Sequence, residues 1–199
     1  MAHLDPLDRS ELVQLDQHLR TRFDETIGFT PRSLLTMARR PAIALALSEL
    51  ITATWRSGTV PIGLKPLIAL ISSTAAGCRY CQAHEAVDAA AHGVPVEKVA
   101  AIWEFDHSPL FTDAERAALR LARDASLLPN AVTAAHFAAL REHFDDGQIV
   151  EILSVIAIFG FLNRWNDTVA TELEDLPLAF ARRTLGEHGW EPGKHRAGA

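Results

Sequence analysis

The chain holds only two cysteines, and they stand in one short run, Ala75-Ala76-Gly77-Cys78-Arg79-Tyr80-Cys81-Gln82-Ala83-His84-Glu85. Gly77 is a turn residue, and the alanine-rich run 86–91 is a helix former. The run therefore reads as a turn feeding a helix, with Cys-x-x-Cys in the first helical turn. A helix N-terminus offers free N–H groups and the positive end of the dipole. Both favour a thiolate, the form that acts as nucleophile. Side chains three apart on a helix are neighbours, so the two sulfurs can meet.

At about 100° per residue, Cys81 lies near 300° from Cys78, His84 near 240° and Glu85 near 340°. His84 is a candidate to take a thiol proton from Cys81, and Glu85 to orient a water or the imidazole. Such a set suits peroxide reduction. One thiolate attacks the O–O bond and becomes a sulfenic acid, the second thiol condenses with it, and an external thiol reduces the disulfide. Two inert buried cysteines, or part of a metal site, are the competing readings. Cys78, Cys81 and His84 supply three ligands where structural zinc takes four, so no metal is expected. Cys81, Glu85, Asp88 and His92 share a face over three turns, too long for one ion and better suited to the polar rim of a cleft or interface.

The rest of the chain limits what these thiols serve. Its 199 residues fit one domain, with 48% apolar residues and a single Tyr, which favours an all-α fold. A net charge of −6 with interspersed signs argues against nucleic acid. No apolar stretch is expected to reach the ~20 residues of a membrane span. The N-terminus lacks a basic region followed by an apolar one. A cytoplasmic protein is expected, where a close cysteine pair points to redox chemistry or metal, not a structural staple. No bound cofactor is called for.

Gly and Pro punctuate a series of helices. Leu7, Leu12, Leu15, Leu19 and Phe23 repeat at helical spacing over 7–25. A short helix follows Pro31, and Pro41 opens a strong one over 41–56. Residues 64–76 read as a buried helix ending at Gly77, 78–91 as the cysteine helix and 95–105 as a short amphipathic one. Thr112-Asp113-Ala114-Glu115 is a capping box for a helix to about 125. Further helices are expected over 133–144, from 148 to as far as 172, and over 177–186. The domain spans 1–188, and the Gly-rich tail 189–199 is expected to be loose. The pairs 64–76 with 78–91 and 148–160 with 161–172 echo each other, which suggests an internal duplication. Trp55, Trp103, Trp165 and Trp190 read as core or interface anchors. Asn163, Arg164, Asn166 and Asp167 lie at a helix end and could line a polar site or an interface, with interface or capping the more ordinary reading. His107, His136, His143, His188 and His195 are expected in solvent.

Gly-Cys-x-Tyr-Cys with a nearby His, after an apolar helix, resembles the alkylhydroperoxidase AhpD-like / carboxymuconolactone decarboxylase family. Ile27-Gly28-Phe29-Thr30-Pro31, Phe111 to Leu119, His143 to Asp146, Ile149-Val150-Glu151 and Phe161 to Asn166 resemble its peroxidase-related branch. The resemblance implies an all-α, AhpD-like bundle that forms homo-oligomers. It implies reduction of organic hydroperoxides, with Cys81 peroxidatic and Cys78 resolving toward the external thiol. It also implies a proton-relay Glu at position 66, where this chain has Pro66 beside Lys65. No carboxylate lies between Pro61 and Gly77. Glu85, or a carboxylate from another helix such as Glu115, would have to serve instead. A decarboxylase-like enzyme of the same fold and a non-enzymatic redox sensor are the alternatives.

Overall fold

The computed structural model describes residues 2–12 and 28–196. Most of the helix expected over 7–25 lies outside them. Its described start holds only the 3-10 turn Arg9–Glu11, capped by Asp8. Nine α-helices follow among the described residues: α1 Arg32–Met37, α2 Pro41–Arg56, α3 Leu64–Ala75, α4 Arg79–Ala91, α5 Val96–Ala100, α6 Asp113–Ala125, α7 Ala134–Arg141, α8 Asp146–Val169 and α9 Asp175–Leu185. The all-α bundle expected from the sequence is the fold of the described residues. The stretch 95–105 divides into α5 and the 3-10 turn Ala101–Glu104.

The buried helix α3 is the axis of the bundle. All its residues from Leu64 to Ser73 are buried, and it packs against α4, α6 and α8. Burying Leu67, Ile68, Leu70 and Ile71 stabilises the fold by about 2 kcal/mol per side chain. α6 is amphipathic and laid on that axis by the capping box that its sequence announces: Thr112 N–H donates to Glu115 Oε2 at 2.8 Å, and Glu115 N–H to Thr112 Oγ1 at 3.3 Å. A smaller apolar cluster joins Leu34 and Met37 of α1 to Ala44 and Leu47 of α2.

α8 is one unbroken helix of 24 residues. By length and composition it could cross a membrane, against the expectation that no stretch would. It lies instead across the core, with Ile149, Ile152, Val155, Ile156, Ile158 and Phe159 buried in the same cluster as α3.

The C-terminal segment corrects the expectation of a loose tail. Trp190 is 3% exposed and His195 1% exposed. Leu173 N–H donates to His195 O at 2.9 Å, and His195 Nδ1 lies 2.8 Å from Thr171 O. An indole and an imidazole outweigh the flexibility that the glycines of the tail suggest, because each buries a large side chain against α9 and the turn after α8. His195 is thereby not the solvated residue expected.

Candidate active site

The cysteine pair stands at a helix junction built by backbone hydrogen bonds. α3 ends in a Schellman motif: Gly77, at φ 79°, donates its N–H to Thr74 O at 3.0 Å, and Cys78 N–H donates to Ser73 O at 3.0 Å. Only a glycine takes that left-handed turn without strain. Cys78 is then also the N-cap of α4, and its Sγ accepts the Cys81 N–H at 3.5 Å. So the sulfur of one cysteine caps the backbone of the other.

Cys81 is 2% exposed and lines a cavity of about 180 Å³ between α1, α2, α4 and α8. Its walls are mostly apolar and aromatic, among them Leu34, Ile51, Trp55, Tyr80, Phe159 and Leu162. His84 and Glu85 also face this space, followed by Asp88 and His92. Cys78 is fully buried and does not line it. The structure therefore brings Cys81, His84 and Glu85 to one cavity, with Cys78 behind Cys81.

The thiol of Cys81 does not rest as the thiolate expected from its place on the helix. Burial pushes its pKa well up, and the neighbouring Cys78 adds to the rise. The Asn166 amide, whose Nδ2 lies 3.4 Å from Cys81 Sγ, works in the opposite direction. Asn166 is itself held: Thr171 Oγ1 donates to its Oδ1 at 2.9 Å, and Thr171 N–H to its backbone O at 3.1 Å. Ala170 makes this possible by turning at φ 53° to close α8. Asn166 thus belongs to the sulfur's surroundings, the polar-site alternative of its sequence reading and not the capping or interface role.

His84 is directed to a partner that no spacing argument could find. Its Nε2 lies 2.7 Å from Oε2 of Glu174, the N-cap residue of α9. Glu174 Oε1 accepts the Tyr80 hydroxyl at 2.9 Å and the Arg32 N–H at 2.7 Å. Burial opposes the charge on Glu174, but the charge and hydrogen bond of His84 and the Arg32 N–H outweigh it and hold its carboxyl below the ordinary range. An ionised Glu174 accepts, so His84 donates to it through Nε2. The ring is fixed further by stacking on Tyr80 at 4.2 Å and by the edge of Phe29 at 5.3 Å. Tyr80 keeps its proton, because burial and then Glu174 raise its pKa well above the usual value.

Glu85 is the opposite case. It is 8% exposed, and its Oε2 has no hydrogen-bond partner among the described residues. Burial, then the nearby charge of Asp88, raises its pKa well above the ordinary 4.5. Glu115, the other substitute considered, is occupied elsewhere: it caps α6 and pairs with Lys98 at 2.6 Å. At the foot of α3, where a relay carboxylate was sought, there is a buried cation. Lys65 Nζ lies 3.1 Å from Glu151 Oε2 and donates to Thr54 O at 2.7 Å.

Known proteins share this architecture. The model of the carboxymuconolactone decarboxylase family matches residues 41–124. The crystal structure of a cysteine-to-alanine variant of the debrominase Bmp8, in complex with 2,3,4-tribromopyrrole, superposes with a TM-score of 0.86 at 36% identity. That likeness covers 91% of this chain and 96% of the other. A peroxidase-related protein of Ralstonia eutropha JMP134 with an alkylhydroperoxidase AhpD core superposes with a TM-score of 0.78 at 22% identity, over 90% of this chain and 95% of that one. Protein YnjA of Escherichia coli K12 is 30% identical over 92 residues, 46% of this chain, and the match spans only 50% of that relative's length. The chain belongs to the carboxymuconolactone decarboxylase family, and it shares the AhpD-like fold.

Proposed function

We propose that this protein is a dithiol-dependent reductase that removes an electrophilic atom, foremost a halogen, from a small, largely apolar ring compound. The observation that carries this reading is Cys81 at the wall of an aromatic-lined cavity, with a second cysteine one turn before it on the same helix junction. The 36% identity to a debrominase over nine-tenths of the chain supports the halogen.

The chemistry runs as follows. His84, oriented by Glu174, takes the Cys81 proton at Nδ1, and Asn166 steadies the sulfur charge. The Cys81 thiolate attacks the halogen, the carbon–halogen bond breaks with its electron pair on carbon, and the carbon takes a proton. Cys78 then attacks the halogenated Cys81 sulfur and expels halide, which leaves the disulfide. The ring gains two electrons and the thiol pair loses them. An external thiol restores the reduced pair.

A second reading is the reduction of organic hydroperoxides, where the distal oxygen stands in the halogen's place and Cys81 passes through a sulfenic acid. The adjacent thiols favour it, since that cycle needs a resolving cysteine beside the peroxidatic one.

Reduced protein with dithiothreitol and 2,3,4-tribromopyrrole is the test. Bromide release with one turnover per dithiothreitol oxidised, abolished by Cys81→Ser, is expected. Consumption of cumene hydroperoxide without bromide release would replace the first reading by the second. Inertness toward both probes would remove the reductase reading.

A further inference from the structure

The mechanism needs an acid as well as a base, and His84 supplies only one of them at a time. The electron pair released from the substrate must be met by a proton inside the cavity. Glu85 is the side chain placed to give it. It sits one turn beyond Cys81 on α4, both line the cavity, and its Oε2 is buried with no hydrogen-bond partner among the described residues. An unpaired buried carboxyl oxygen costs free energy unless it has a use or a partner.

The surroundings favour the neutral form of that group. On its own helix Tyr80, Cys81, His84, Asp88 and His92 line the same cavity as Glu85. Asp88 Oδ2 accepts the Trp55 indole N–H at 3.3 Å, and Asp88 Oδ1 lies 3.3 Å from His92 Nδ1. That acid is therefore held in place one turn from Glu85. From α2, Arg56 is the charged residue of the cavity wall, while α1 and α8 contribute no titratable side chain to it among the described residues. Burial and Asp88 both favour the protonated carboxyl.

Neutrality also suits the sulfur. A carboxylate at Glu85 would oppose the Cys81 thiolate, since a charge there raises the Cys81 pKa. A protonated Glu85 removes that opposition when the thiolate forms. It becomes an anion only after the sulfur has become neutral through its bond to the abstracted atom.

We propose that Glu85 is the general acid of this site, donating its proton to the fragment that leaves with the electron pair. This role rests on the dithiol reductase reading. For a ring halide, the carbon–halogen bond breaks, its electron pair stays on carbon and the Glu85 proton forms the new C–H bond. For a hydroperoxide, the O–O bond breaks and the same proton goes to the alkoxide. In both cases the thiol pair is oxidised to the disulfide, and the Glu85 carboxylate regains a proton from solvent.

The test joins infrared difference spectroscopy to single turnovers of the full chain. The C=O stretch of a protonated carboxylic acid is expected at neutral pH in wild type and absent from Glu85→Gln. Asp88→Asn is expected to move its titration to lower pH. Single-turnover reduction of 2,3,4-tribromopyrrole or cumene hydroperoxide should slow about 100-fold in Glu85→Gln. Alkylation of Cys81 by iodoacetamide, which needs a thiolate but no acid, should stay within about twofold, a split that a merely structural role of Glu85 would not give. An unchanged carboxyl band in Glu85→Gln, or reduction at the wild-type rate, overturns the acid role alone. Inertness of wild type toward both probes overturns the reductase reading and the acid role together.

Discussion

Two carboxylates flank the cysteine helix, and they are built in opposite ways. Glu174 reaches in from the N-cap of α9 and accepts from His84, Tyr80 and the Arg32 backbone. Glu85 rises from α4 itself and leaves Oε2 without a partner among the described residues. Both are removed from water, yet one is driven toward the anion and the other toward the neutral acid. The difference teaches that burial alone does not set a carboxyl's charge. Three donors suffice to reverse it, and a single neighbouring anion reinforces it.

The contrast can be broken most forcefully from the Glu174 side. Glu174→Ala leaves the Tyr80 hydroxyl, the His84 ring and the Arg32 N–H without their acceptor. It should destabilise the fold by about 3 kcal/mol, read from urea denaturation. A loss under about 1 kcal/mol would mean that water replaces the carboxylate and that Glu174 does not organise the site.

The two groups should also tilt stability against pH in opposite directions. The folded pKa of Glu174 is lowered, so its stabilisation is present above the ordinary 4.5 and is lost as pH falls through the folded value. The folded pKa of Glu85 is raised, so the fold binds its proton more tightly than the unfolded chain does. Its stabilisation is fully present below 4.5 and is lost as pH rises toward the folded value, by at most about 1.4 kcal/mol per pH unit. Denaturation midpoints of Glu174→Gln and Glu85→Gln from about pH 3 to about pH 8 check this. Relative to wild type, the first variant should worsen as pH rises and the second improve. Parallel curves would erase the distinction drawn here.

The smallest expected effects lie on the sulfur side. Asn166→Ala should move the pH midpoint of Cys81 alkylation upward, because the amide lowers that pKa. Thr171→Val should move it the same way but less, with about 1 kcal/mol of lost stability from the buried hydroxyl bond. An unmoved midpoint in both would show that Asn166 does not act on the sulfur.

What the sequence discloses is what lies within one helix. Pro41, Gly77 and the Thr112 capping box mark their helix ends to within a residue or two, since turn geometry and capping are local chemistry. The Cys-x-x-Cys at a helix start was legible for the same reason. Glu174 was not: it lies 90 residues from His84 and meets it only because Ala170 turns the chain back after α8. Resting protonation of Cys81 was equally hidden, because it follows from burial by helices distant in sequence. The packed tail was misread because Gly-rich composition speaks for flexibility, while Trp190 and His195 find their pockets only in the assembled bundle. Asn166 was legible only as one of four polar residues, with Asn163, Arg164 and Asp167, that could line a polar site at the end of α8.

The double duty of Cys78 has a practical consequence for anyone dissecting the site. Its sulfur is a nucleophile in the chemistry and a hydrogen-bond acceptor in the joint between α3 and α4. An alanine there would strip out reactivity and uncap a helix in the same stroke, so an inactive protein would say little about electron transfer. Serine keeps an acceptor at the cap and separates the two roles, which makes it the informative replacement at this position.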